Sequence, residues 1–151
     1  MPAVLAALGA VLPWFAPTGT RNGVRAVDIP QAYCVQAGHI GFLAPLLLIV
    51  AGVALLGPRL RRANPAPRPL EMDGLILLGC GVAAAIVLVV TWFLLPSSYT
   101  FTGGMSWAAL ERAGFDLRRG PQIGYFLTVA AAVLAICCGA TLAVVGRRER
   151  A

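Results

Sequence analysis

The sequence contains no lysine, a single histidine and six acidic residues, and charged residues occupy 12% of its 151 positions. Soluble domains usually carry about 25% charged residues. Mean hydropathy is +0.82, and half of the chain lies in four stretches without Asp, Glu, Lys, Arg or His: Ala3–Ala16, Ile40–Gly57, Leu75–Leu95 and Ile123–Gly146. This composition excludes a disordered or water-soluble chain and predicts that these stretches lie in lipid.

The apolar stretches also lack the groups that most membrane chemistry needs. Proton pumps, ion-coupled carriers and voltage sensors place ionisable side chains inside the membrane, and here only threonines and cysteines interrupt the apolar residues. No nucleotide-binding, serine-hydrolase or zinc-protease motif occurs. Cys34 is alone in the outer loops, no cysteines have C-x-x-C spacing, and His39 alone cannot supply a bis-histidine haem site. We therefore predict no catalytic residue, no cofactor and no metal site.

The twelve basic residues are all arginine, and their positions predict the topology. Seven of them lie between the second and third stretches or after the fourth: Arg59, Arg61, Arg62, Arg68, Arg147, Arg148 and Arg150. Short segments rich in basic residues stay in the cytoplasm. We expect a multi-pass protein of a bacterial plasma membrane with both termini and the loop 59–73 cytoplasmic, and no nucleic-acid partner. Arg59, Arg61 and Arg62 are also candidates for contact with anionic lipid or a partner.

Four transmembrane helices follow from a span of about 20 apolar residues each. We expect helices over about 3–17, 39–58, 74–95 and 122–146, with outer loops 18–38 and 96–121. The first is short and contains Pro13. It lacks the basic residues that open a signal peptide, so a retained helix is favoured, and a start a few residues upstream of Met1 would lengthen it. Trp14 and Phe15 are then expected in an interfacial aromatic belt.

The two halves of the chain run through the same order of elements, which predicts an all-α protein built as two similar helical hairpins. Chance likeness between apolar segments is the alternative. Each outer loop is expected to hold a short helix. Asp28 can cap the first, and Ser106 can cap Trp107–Ala113, with Gly114 as terminator. The face of this second helix can rest on the bundle or on head groups, and Trp107 with Arg112 forms a candidate partner contact.

Small residues predict how the helices pack, because helices associate in lipid where backbones approach closely. The fourth helix carries small residues at spacings of four: Ala131, Ala135, Gly139 and Ala143. The third offers Gly79 with Ala83, and Gly81 with Ala85. We expect these rows to pack within the chain, with self-association as the alternative.

Leu12-Pro13-Trp14 closes the first helix, and basic residues end the second and fourth. In this plan the chain resembles the small uncharacterised four-helix integral membrane proteins of high-GC actinobacteria, a resemblance that implies no activity. We predict a non-catalytic accessory or scaffolding subunit of a larger membrane complex, whose partners are the bilayer and other membrane subunits or itself, with no identifiable small-molecule substrate. The first alternative is an oligomeric transporter or channel component. A weaker one is a lipid-acting enzyme that uses outer residues: Asp28, His39, Glu111 and Asp116.

Overall fold

The computed structural model describes residues 1–16, 18–22, 24–25, 41–60, 69–98, 106–118 and 120–149. These residues are mostly helical. In chain order they form α1 (Pro2–Val11), β1 (Thr18–Arg21), β2 (Val24–Arg25), α2 (Leu43–Leu60), α3 (Leu70–Ser98), α4 (Trp107–Arg112), β3 (Asp116–Arg118) and α5 (Ile123–Arg148). The first outer-loop helix predicted after Asp28 lies outside the described residues.

Two of the described helices are long and apolar enough to cross a membrane: α3 over Leu70–Leu94 and α5 over Ile123–Arg148. Shorter apolar helices are α1 and the Leu43–Leu56 part of α2. The third helix begins at Leu70 and not near residue 74, because Glu71 and Asp73 fit its first turn, where acidic side chains favour the helix dipole.

The two long helices run antiparallel and form the largest helix contact in the fold. The face that α3 buries follows intervals of three and four residues: Gly74, Leu77, Gly81, Ala84, Leu88 and Thr91. This seven-residue period is typical of helices that pack side by side with a slight left-handed twist. The α3/α5 pair is therefore the core to which the other elements attach.

α1 packs against both α2 and α5, and α2 packs against α3. The first helix ends at Val11, six residues before the predicted end. Leu12 has extended backbone angles, since Pro13 lacks the amide hydrogen that a helix needs and disfavours helical angles at the residue before it. A Cβ at Gly52 of α2 would collide with the Ala3 side chain. The helices α1 and α2 therefore also approach each other closely at small residues.

The prediction of an all-α chain misses a small sheet. β1 pairs antiparallel with β2 on one side and with β3 on the other. Thr18 lies opposite Arg118, although the two are a hundred residues apart in sequence. The pairing brings the chain just after α1 and the chain just before α5 to the same end of the helices.

The predicted second outer-loop helix is confirmed as α4. The Ser106 side chain accepts a hydrogen bond from the amide of Ala109, and Gly114 has a φ of 85°. The amide of Phe115 donates to the Leu110 carbonyl, and that of Gly114 to the Glu111 carbonyl. This is a Schellman motif, which ends a helix at a left-handed glycine.

Candidate functional site

An extended segment joins the end of α1 to the start of α5 at the end of the bundle that carries the sheet. The Gln122 amide donates to the Trp14 carbonyl at 2.7 Å, and the Gly124 amide to the Pro13 carbonyl at 3.0 Å. The Ala16 amide donates to the Gly120 carbonyl at 2.8 Å. Helix N-termini leave amides without partners, so the Pro13 and Trp14 carbonyls cap α5. We call this pairing of 12–16 with 120–124 the outer junction.

The outer junction holds Trp14 at the centre of an aromatic cluster. Its Nε1 donates to the Gly9 carbonyl at 2.8 Å, and its ring meets that of Tyr125 edge-on at 5.6 Å. Phe15 lies beside Trp92 and Tyr125, with ring centroids 5.8 and 5.1 Å away. Trp14 and Phe15 are 0% exposed. The expectation that they belong to an interfacial belt is therefore wrong, because the outer junction turns both rings into the protein.

Beside this cluster, and sharing Trp92 and Tyr125 with it, a groove of about 380 Å³ opens between α3 and α5. Its lining is apolar and largely aromatic: Val89, Trp92, Phe93, Pro121, Tyr125 and Phe126. Phe93 is 70% exposed at its rim. The Tyr125 hydroxyl donates a hydrogen bond within the protein, to the Leu88 carbonyl at 3.3 Å. The groove therefore presents apolar surface and suits an apolar occupant.

The predicted small-residue row on the fourth helix lies at the α3/α5 contact. Ala131, Ala135, Gly139 and Ala143 are all buried. A Cβ at Gly139 would collide with the Leu78 amide nitrogen, and one at Gly81 would lie 3.0 Å from the Ile136 nitrogen. This row is occupied by the chain's own third helix.

Of the two pairs predicted on the third helix, the structure brings Gly81 into this contact but not the pair Gly79 and Ala83. A Cβ at Gly79 would meet nothing within 4 Å, and Ala83 is half-buried. Gly81 makes the close approach together with Gly74, which was not predicted. The missed signal is the seven-residue period of small and apolar residues on α3.

The two residues of the predicted partner contact on α4 differ in exposure: Trp107 is buried and Arg112 is exposed. Trp107 is 4% exposed and its Nε1 donates to Glu111 Oε1 at 2.8 Å, so it is unavailable to a partner. Its burial has a physical reason, because α4 packs against α3 and β3 and thereby covers the Trp107 and Leu110 face. Arg112 is exposed, and its Nε donates to the Ala108 carbonyl at 3.2 Å.

The opposite end of the bundle is charged. Arg147 Nε lies 3.1 Å from Glu71 Oε1, which ties the last turn of α5 to the first turn of α3. A Cβ at Gly146 would lie 2.9 Å from the Cα of Glu71, so glycine permits this contact. The backbone of Arg59 belongs to the last turn of α2, whereas the predicted contact residues Arg61 and Arg62 lie outside the described residues.

The residues considered for chemistry remain dispersed where they are described. Cys80, Cys137 and Cys138 are free thiols, and no three metal-ligating side chains group together in the described part of the chain. Asp116 Oδ2 lies 3.6 Å from Arg118 Nη2, and both side chains are exposed. Asp28, Cys34 and His39 lie outside the described residues. Searches against protein-family models, curated proteins and solved structures find no match.

Proposed function

We propose that this chain is a four-span integral membrane protein of the plasma membrane, built as two similar hairpins, with both termini and the loop 59–73 cytoplasmic. The two long apolar helices support membrane insertion. The pairing of β1 with β3 supports a common side for the outer connections, and the contact of Arg147 with Glu71 supports a common side for the middle loop and the C-terminus. The arginines near those last segments favour the cytoplasmic side.

Within that membrane, we propose that the chain acts as a non-catalytic accessory or scaffolding subunit. The groove between α3 and α5 carries this proposal. Helices associate in lipid through shape and close packing, since lipid tails are as apolar as leucine, and the groove offers an aromatic recess with Phe93 exposed at its rim. A membrane-spanning helix of a partner subunit fits such a surface.

The burial of Ala135 and Gly139 weighs against the alternative of a pore that forms through the small-residue row. That row packs on α3, so a second copy would have to displace α3 to reach it. An oligomeric transporter component would need another contact surface, and it is the competing outcome of the test.

The test is purification of the tagged chain from its native membrane in mild detergent, with a photocrosslinking residue at Phe93 or Phe126 on the groove. The control is the same residue at Val53, which is 64% exposed on α2. We expect one partner protein to copurify stoichiometrically and to crosslink from the groove positions and not from Val53. Recovery of the chain alone, or crosslinked to itself, would contradict a subunit role.

The topology has a separate test. In a chain whose native cysteines are replaced by alanine, Ser106→Cys should react with a membrane-impermeant maleimide added outside intact cells. Glu149→Cys should react only after the membrane is opened. Reaction of both from outside would overturn the proposed orientation.

A further inference from the structure

We infer that β3 is a contact surface between two copies of this chain, and that the two β3 strands pair antiparallel with Leu117 opposite Leu117. In the sheet, β1 lies between β2 and β3. One edge of β3 is therefore paired with β1, and no strand of the described residues lies beside its other edge. Such an edge presents unpaired backbone amides and carbonyls, which a further strand can bind.

The order of charges along β3 suits pairing with itself. The strand reads Asp116-Leu117-Arg118. In an antiparallel pair centred on Leu117, Asp116 of each copy lies opposite Arg118 of the other, so two oppositely charged pairs form about one two-fold axis. Residues directly opposite have Cβ atoms about 4.5–5.5 Å apart, and opposite charges there stabilise the pair. The other edge strand, Val24–Arg25, has no acidic residue and lacks this complementarity.

The charged side chains of β3 are available for this contact. Those of Asp116 and Arg118 are 65% and 80% exposed, and their closest charged atoms are 3.6 Å apart. Exposed ion pairs are weak and screened by salt, so this one does not keep the two side chains from partners in a second copy. Leu117 is half-buried and packs against the core, which holds the strand in place before it pairs.

The membrane placement proposed above favours this pairing. Every copy then carries its sheet at the outer end of its helices, so the β3 edges of neighbouring copies lie on the same side of one bilayer. Partners confined in this way meet at a high effective concentration. The contact also leaves the groove between α3 and α5 to another protein, because no residue of β3 lines that groove.

The test is copurification of two differently tagged copies, expressed together and extracted from the native membrane in mild detergent, with recovery normalised to the amount of each chain. We expect the native chain to recover itself. Asp116→Arg puts like charges opposite each other in a pair of identical copies, and so does Arg118→Asp. Each variant should recover its own kind at least about tenfold less well, because both symmetric contacts change from attraction to repulsion.

The decisive arm is the mixed pair. Coexpression of Asp116→Arg with Arg118→Asp places opposite charges at both contacts again and should restore recovery, as should the double variant Asp116→Arg/Arg118→Asp with itself. The matched control is Arg112→Asp, which makes the same change of charge at an exposed position on α4 and should alter recovery less than twofold.

Equal recovery of all chains, or no recovery of the native chain by itself, would overturn the inference. So would a mixed pair that fails to restore recovery, since the single losses would then come from damage to the sheet. Better recovery of the single variants than of the native chain would show that these charges keep the edges apart. A chain that recovers itself through β3 but crosslinks to no other protein from the groove contradicts only the subunit role.

Discussion

Gly74 and Gly139 face each other across the α3/α5 contact: a Cβ built on either residue would lie 2.8 Å from the carbonyl oxygen of the other. Two backbones that approach this closely leave no room for a side chain on either helix. The central contact of the fold therefore depends on glycine at both positions, and this dependence can be measured.

Replacement of Gly139 by alanine should destabilise the bundle by about 1–3 kcal/mol, because the new methyl group must push α3 away. Gly79→Ala is the matched control on the facing helix, since a Cβ there meets nothing within 4 Å. It should leave stability unchanged or raise it by up to about 1 kcal/mol through helix propensity. Unfolding of both variants in mixed micelles of increasing SDS content provides the measurement, and equal effects would refute a tight contact at Gly139.

Trp14→Phe should lower the free energy of unfolding by about 1–3 kcal/mol, because it leaves the buried Gly9 carbonyl without its donor. Phe93→Leu alters a ring that is 70% exposed and should change stability by less than about 0.5 kcal/mol. The hydrogen-exchange rate of the Trp14 indole N–H in the native chain gives an independent check. Rapid exchange would show that the hydrogen bond to Gly9 does not persist.

Glu71 and Arg147 should show a coupling free energy of about 0.2–1 kcal/mol in a double-mutant cycle with glutamine at each position. The value is small because the Arg147 side chain is 71% exposed, and exposed ion pairs are weak and screened by salt. A cycle between Glu71 and Arg148, the next residue, should give no coupling. Coupling that persists in about 1 M salt would argue against a simple exposed pair.

Gly114→Ala should destabilise α4 by about 1 kcal/mol, since its φ of 85° is strained for a residue with a Cβ. Gly114→Asn should cost less, because asparagine tolerates left-handed angles better than alanine. Exchange protection of the Phe115 amide, which donates to the Leu110 carbonyl, reports the integrity of this turn. The expected order of protection is glycine, then asparagine, then alanine, and equal protection in all three would contradict it.

The features that the sequence predicted correctly depend on local signals. Long apolar runs predicted α3 and α5, and Ser106 and Gly114 marked the two ends of α4 because a cap acts within a few residues. No knowledge of the rest of the chain is needed for these. The arginine distribution likewise predicts topology from short segments alone, and that prediction awaits the labelling test.

The features that the sequence missed depend on contacts between distant segments. Leu12-Pro13-Trp14 looks like the end of a helix at a lipid interface. Pro13 accounts for the extended backbone of Leu12, but only the pairing with residues 120–124 explains the burial of Trp14. On α3 nearly every face is apolar, so composition does not distinguish the open Gly79 from Gly74, which packs on α5. The choice is made by the partner helix, which a single sequence does not reveal.

The outer junction also constrains the order in which the protein can be made. The carbonyls of Pro13 and Trp14 receive their hydrogen bonds from residues about 110 positions later in the chain. At about 5–20 residues per second, synthesis of that interval takes on the order of ten seconds. During this time the Pro13 and Trp14 carbonyls lack these partners, and unpaired carbonyls are costly in hydrocarbon. In the membrane placement proposed above, the first helix therefore reaches its final position only after the start of α5 has been made, because these carbonyls have no donors before then.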